Sequence, residues 1–341
     1  MKALIIGLGS MGKRRIRNIQ HLNEHEKLAV DIVGFDIDPA RRAEAEREYG
    51  IITVATFEDG LAQHPGTLII CTPPHLHQPY IEAAVKHSMH FFTELSILSD
   101  GLQGIVDKLK SAKLVAAPSF TMRHHESLQR IKAFLNQRKP GDKVTFFYHS
   151  GRFLPDWHPW EDYRTSFLAR EGTSGCRELI SFELTWLPWV FGAVKSVFAH
   201  KAKVSTLALS ADVYDITLEF ENGNCGQMKI DVVTADPQKW LRVVGEKGNI
   251  EWDRKLESVR FYNAAQKTWE EYKESPGIRA RKPDGTFYSN KEDMYIAELR
   301  DFFAAVRGEK PYPFTLQDDL ERLRILDKIE ESAANGAKVM V

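Results

Sequence analysis

The chain has 341 residues, long for a single core, so two domains are the expected arrangement. Its 46 basic and 47 acidic residues leave a formal net charge of −1, which offers no electrostatic attraction to nucleic acid or to a membrane surface. Cys71, Cys176 and Cys225 stand far apart without a CxxC, which argues against a disulfide framework or a zinc cluster and fits a reducing cytoplasm.

The first element is a short apolar strand, Ala3-Leu4-Ile5-Ile6, too brief for a signal peptide; no later stretch nears the ~18 apolar residues of a membrane span. It runs into Gly7-Leu8-Gly9-Ser10-Met11-Gly12 and then a helix. A GxGxxG turn between strand and helix suits a dinucleotide: one glycine for the tight turn, one for close approach of a pyrophosphate, one for helix–strand packing. Val30 to Asp36 reads as the next strand. It ends in an acid 36 − 12 = 24 positions after the last glycine, near the ~20 expected of a ribose-binding carboxylate. Asp36 would repel a 2′-phosphate, which favours NAD over NADP, with Arg41 as a neighbour. Lys13, Arg14, Arg15 and Arg17 follow the glycine loop; a solvated face is expected, with one of them free to meet an anion.

Strand and helix patterns alternate up to about residue 120, a doubly wound parallel α/β layout in which Cys71-Thr72-Pro73-Pro74 ends the fourth strand, where ligands of open sheets bind. His75 and His77 form an HxH with no third ligand at matching spacing, so no metal is expected. A helix near 127–136, a strand near 144–149 and a helical stretch from Cys176 to Trp189 come next. Alternating strands follow without intervening helices, and Asn222-Gly223 marks a hairpin, so the C-terminal half is expected to be α+β with an open, mostly antiparallel sheet. Two amphipathic helices close the chain at about 291–335. The expected domains are a Rossmann-type unit over 1–120 and an α+β unit over 121–341.

From Thr72 to Ser96 the sequence TPPHLHQPYIEAAVKHSMHFFTELS resembles the glucose-fructose oxidoreductase / inositol dehydrogenase / MocA (Gfo/Idh/MocA) family, whose segment reads TPxxxH, an Ala-rich helix and KHVxxEKP. FTMRHH at 120–125, WLRVVGEKGNIEWD at 240–253, MYIAELRDFFAAVRG and ESAANGAKV extend the likeness over essentially the whole chain. The resemblance implies an NAD-dependent oxidoreductase of a sugar or nucleotide-sugar hydroxyl or carbonyl, forming a homodimer or homotetramer. It implies cofactor contacts at Gly7, Leu8, Gly9, Ser10, Met11, Gly12, Asp36, Arg41, Cys71, Thr72, Pro73, Pro74, His77 and Glu94.

The chain departs from that family where proton transfer is expected. Leu95 stands at the lysine of EKP, and Phe182 at the histidine of the second-domain helix, with Leu179 and Thr185 at its flanking aspartates. Candidate replacements are Glu94, Glu178, Glu183, His158 and Tyr163. Glu178 lies one helical turn before Phe182 and shares its face; Glu183 sits among apolar residues that would keep it protonated. Either is alternatively a structural carboxylate paired with Arg177 or Arg123. The loop Asp156-Trp157-His158-Pro159-Trp160-Glu161-Asp162-Tyr163-Arg164 concentrates aromatic and polar groups suited to a sugar. With Arg123 it supplies the candidate substrate contacts Asp156, Trp157, His158, Trp160, Tyr163 and Arg164, unless it only pins itself to the sheet. Two further readings are an NAD-assisted lyase or glycoside-cleaving enzyme, and a non-catalytic cofactor-binding protein.

Overall fold

β1 (Lys2–Ile6) is inaccessible from Ala3 to Ile6 because it forms the middle of a parallel sheet covered on both faces. The computed structural model describes residues 1–157, 159, 161–281 and 286–341. Five strands join β1: β2 (Asp31–Phe35), β3 (Ile52–Val54), β4 (Thr67–Ile70), β5 (His90–Thr93) and β6 (Ala116–Pro118). Their order is β3-β2-β1-β4-β5-β6, so the winding reverses between β1 and β4. In open α/β sheets that reversal leaves a crevice at the strand carboxyl ends. Helices α1 (Ser10–Glu26), α2 (Pro39–Tyr49), α3 (Phe57–Leu61), α4 (His77–Lys86) and α5 (Leu102–Leu109) supply the crossovers.

The chain divides into two compact units, Met1–His124 with Gly277–Leu320 and His125–Pro276 with Glu321–Val341. The second contains α6 (Glu126–Asn136), β7 (Val144–Gly151), α7 (Gly175–Leu184) and α8 (Leu187–Phe191). The stretch expected as one helix from Cys176 to Trp189 is thus broken at Thr185 and Trp186. Pro188, in the first turn of α8, has no N–H to continue the helical ladder. The strands β8 (Val194–Ala202), β9 (Val213–Phe220), β10 (Cys225–Asp231), β11 (Gln238–Gly245), β12 (Gly248–Asp253), β13 (Ser258–Asn263) and β14 (Thr268–Lys273) follow. A small ladder of β15 (Arg279–Arg281) and β16 (Phe287–Lys291) precedes α9 (Asp293–Val306), α10 (Leu316–Asn335) and β17 (Val339–Met340).

The second sheet has nine strands in the order β14-β13-β12-β11-β7-β10-β9-β8-β17, antiparallel except where β7 and β10 run parallel. The Asn222-Gly223 hairpin joins β9 to β10, with Gly223 at φ +84°, as the sequence indicates. One face of this sheet is covered: Tyr148, Leu241, Val243 and Trp252 are buried. On the other face Phe147 and Phe198 are 43% exposed beside Trp240 and Arg242. In the first unit, Leu299, Phe302 and Phe303 of α9 join Ala3, Ile5, Ile16 and Ile19 in one apolar core. Among the described residues no helix is long and apolar enough to cross a membrane.

Candidate functional site

The glycine loop has the shape a dinucleotide requires. Gly7 adopts φ +88°, and a Cβ there would meet the Cys71 carbonyl at 3.0 Å and the Thr72 nitrogen at 3.1 Å, so the β1 and β4 ends approach backbone to backbone. A Cβ on Gly12 would lie 1.9 Å from the Gly7 carbonyl oxygen, whereas above Gly9 only Arg41 Nη1 comes near, at 3.7 Å. Open space at Gly9 and the uncapped N-terminus of a 17-residue helix leave N–H groups free for a pyrophosphate. Asp36 is buried at the β2 end; its Oδ2 accepts from Leu8 N at 2.7 Å and its Oδ1 from Asp38 N at 2.9 Å. These contacts fix the carboxylate beside the loop, and Arg42 donates to the Asp36 carbonyl. The residues present fit an NAD.

The other cofactor candidates close around the same crevice. Pro74 begins a single turn ahead of α4, and His77 ties the loop down: its Nε2 donates to Thr72 O at 2.7 Å and its Nδ1 lies 3.2 Å from Thr93 Oγ1. Burial lowers the His77 pKa to about 4, leaving a neutral ring with both nitrogens engaged. Met11 Sδ accepts from Arg14, while Ser10 opens α1 at the surface. Cys71 Sγ lies 3.9 Å from Glu94 Oε1, and burial, with Glu94 beside it, pushes the thiol well above its ordinary range.

The basic run after the loop is not the solvated face its position suggests. Arg15 is fully buried, bonded by Nε to Glu94 at 2.6 Å and by Nη2 to Glu298 at 2.8 Å, with its guanidinium 4.5 Å from the Phe92 ring. Burial opposes the charge, but Glu94 and Glu298 outweigh it and raise the Arg15 pKa. Arg14 and Arg17 turn to Glu292 and Lys13 to Glu44. The anions these cations meet are the protein's own carboxylates: Glu292 and Glu298 come with α9, which packs on α1, Glu44 with α2, and Glu94 from the end of β5. Glu298 also accepts from Ser119 Oγ, Phe120 N and Thr121 Oγ1. Arg15→Met leaves two carboxylates without their cation, so an expected loss of about 3–5 kcal/mol should appear in urea denaturation, with much of it recovered in Arg15→Met/Glu298→Gln.

In the second unit, α7 starts at a Ser174 cap and carries Glu178, Phe182 and Glu183. Glu178 is largely buried, and among the described residues its Oε2 finds no hydrogen-bond partner. Burial pushes its carboxyl up to about 7. Arg177, one of the expected counter-charges, turns instead to Asp327 at 2.7 Å and Glu330 at 3.6 Å. Glu183 is completely buried, yet a cation meets it in its apolar surroundings: Lys239 Nζ lies 2.7 Å from Oε1, and Trp186 Nε1 donates to Oε2 at 2.6 Å. The Lys239 ammonium also sits 4.9 Å from the Phe182 ring centroid.

The remaining candidates spread along their segments. Arg123, in the first unit, lies 4.6 Å over the Phe314 ring. In the loop, Asp156 is exposed, Trp157 has the Arg152 guanidinium 5.9 Å from its ring, the Tyr163 hydroxyl accepts from Ala208 N at 3.0 Å, and Arg164 pairs with Asp162 at the surface. His158 and Trp160 lie outside the described residues.

Two family models cover most of the chain: an oxidoreductase-family NAD-binding Rossmann fold over residues 1–120, and the C-terminal alpha/beta domain of the same family over 170–341. The chain belongs to the Gfo/Idh/MocA oxidoreductase family. The NAD-binding domain and the α/β architecture expected from the sequence are therefore those of this family. A curated relative, the uncharacterized oxidoreductase YrbE of Bacillus subtilis (strain 168), is 23% identical over 99% of this chain and 95% of its own length. Among solved structures, a levoglucosan dehydrogenase in complex with NADH and L-sorbose matches with a TM-score of 0.83 at 18% identity, covering 100% of this chain and 98% of that one. The WlbA dehydrogenase of Bordetella pertussis, in complex with NADH and UDP-GlcNAcA, matches with a TM-score of 0.79 at 18% identity over 100% and 98% of the two chains.

Within this Gfo/Idh/MocA chain, Lys239 escaped the sequence reading. The signal was present in the alternation: Lys239 has the parity of the buried Leu241 and Val243, opposite to the exposed Arg242. A lysine on the covered face of a strand demands a counter-charge, and Glu183 is that group.

Proposed function

We propose that this chain is an NAD-dependent oxidoreductase of a sugar or nucleotide-sugar hydroxyl, in which Glu178 takes the hydroxyl proton on oxidation and returns it on reduction. The observation carrying this reading is the Glu178 carboxyl itself: largely buried, with Oε2 unpartnered among the described residues and ionising near 7, where one side chain serves as both base and acid. It lies one helical turn before Phe182, at the position where the family pattern has histidine, and Leu95 stands where that pattern has lysine. Of the other carboxylates, Glu94 is held by Arg15 and Glu183 by Lys239 and Trp186, which suits them to positioning rather than to proton exchange.

Gly7 to Gly12 and Asp36 would hold the pyrophosphate and ribose, with Cys71 to Pro74 and Glu94 around the crevice. Hydride acceptance and return is the chemistry NAD supplies when bound. The sugar class is supported by the relatives crystallised with L-sorbose and UDP-GlcNAcA and by the aromatic loop at 156–164. The exposed sheet face around Phe147 and Phe198 supports self-association into a dimer or tetramer. Incubating the protein with NAD and a panel of free sugars, uronic acids and nucleotide sugars should yield NADH in proportion to substrate consumed. Sugar cleavage without net NADH would replace this reading with the redox-assisted lyase; neither turnover nor a thermal shift would replace it with the non-catalytic one.

A further inference from the structure

Three layers of side chains lead from the core to Lys239, which lies over the Phe182 ring. Deepest are Trp186, whose indole N–H donates to Glu183 Oε2 at 2.6 Å, and Tyr148, whose hydroxyl is pushed up in pKa by burial and by the Glu183 charge. Next is the Glu183 carboxylate, 0% exposed, with Oε1 2.7 Å from Lys239 Nζ. Outermost is Lys239, whose side chain is 11% exposed and whose ammonium lies 4.9 Å from the Phe182 centroid. A buried ion pair made only for packing would close both partners off. Here the carboxylate is sealed and oriented by a third group while the Lys239 side chain is not wholly closed off, the order in which a fixed acceptor aims a working donor.

We propose that Lys239, aimed by Glu183 across the face of Phe182, is a catalytic residue that donates a hydrogen bond to the reacting oxygen of the substrate and stabilises the negative charge developing there. The inference rests on the oxidoreductase reading above and deepens it. Two substitutions that seem to leave the site inert become one rearrangement: the cation comes from β11, and the titrating carboxyl, Glu178, from the turn of α7 before Phe182. An aromatic ring at 182 then has a purpose, since its face stabilises the ammonium without neutralising it. Burial, with Arg254 nearby, lowers the Lys239 pKa, and Glu183 from α7 opposes that fall; Arg254 N donates to the Lys239 carbonyl at 3.0 Å.

The test has an arm that needs neither cofactor nor turnover. In native wild-type protein treated with trace acetic anhydride at pH 8 and read by peptide mass spectrometry, Lys239 should acetylate at a rate comparable with exposed Lys195, and faster in Glu183→Gln, where the amine loses its stabilising charge. A Lys239 that acetylates only on unfolding is sealed and overturns the proposal. The second arm is kinetic, on whichever sugar the wild type oxidises. Lys239→Met/Glu183→Gln removes both charges, so no lone buried carboxylate burdens the fold. It should lower kcat about 100-fold with little change in KM, the loss typical of one oxyanion donor, and Lys239→Arg should restore part of it. Unchanged kcat in these variants overturns the role of Lys239 and leaves the sugar reading standing. A wild type that oxidises no sugar overturns that reading, and a Lys239 that labels freely and is slowed by no sugar overturns its role in contacting one.

Discussion

Gly12→Ala is expected to abolish NAD binding and to destabilise the first unit by about 3 kcal/mol or more, beyond the usual range for overpacking. The added Cβ would lie 1.9 Å from the Gly7 carbonyl oxygen and 3.0 Å from its carbon. Both are backbone atoms in a turn pressed against the Cys71 carbonyl, so neither can swing aside as a side chain would. Relief requires α1 to lift from β1, which unseats Ile16 and Ile19 from the core and pulls the helix N-terminus away from the phosphate position. Urea denaturation and an NADH fluorescence titration measure the two effects. Gly9→Ala separates them, because its Cβ meets only the flexible end of Arg41, at 3.7 Å. There the midpoint should hold while NADH affinity falls, since the methyl stands where backbone must approach pyrophosphate. A Gly12→Ala protein with the wild-type midpoint would show that the close packing is not required.

Glu178→Gln should make the protein inactive and, above neutral pH, more stable. The carboxyl ionises at about 7 in the fold against 4.5 ordinarily, so between those values the folded chain holds a proton that the unfolded chain has lost. Stability then falls as pH rises from 4.5 through 7, the sign for a carboxyl raised by burial, and the loss is complete above 7. Glutamine never ionises, so the variant should match the wild type near pH 4.5 and exceed it at pH 8.5 by up to about 3 kcal/mol in urea denaturation. Turnover should fall by about 10²- to 10⁴-fold, the usual worth of a general acid–base group. In the wild type, kcat/KM for oxidation should rise with an apparent pKa of about 7, because the base must be ionised; for reduction it should fall over the same range. Equal stability of the two proteins at pH 8.5 would remove the buried, titrating Glu178 from the argument.

That Glu178 and Phe182 share one helix was legible in the sequence, because helical spacing is local. The glycine loop, the acid at 36, the parallel alternation and the Asn222-Gly223 hairpin were legible for the same reason: each is set within a few residues by sterics, turn geometry or periodicity. Arg15 was misjudged because a helix start followed by four basic residues looks solvated until something covers it. What covers it is α9, carrying Glu298 from 283 positions further along the chain. The break at Thr185 and Trp186 was missed because apolar residues continue through it, and only Pro188 marks the end of the ladder.

By itself the sequence determined which cofactor loop is made and which strands alternate. Only the tertiary structure decided where the charges went. It buried Arg15 between Glu94 and Glu298. It brought Lys239 of β11 to Glu183 of α7, 239 − 183 = 56 positions apart, and among the described residues it left Glu178 Oε2 without a partner. The reason is that a buried charge must find its counter-charge or change its pKa, and which of the two happens depends on what distant segments bring into contact, information that no local period contains.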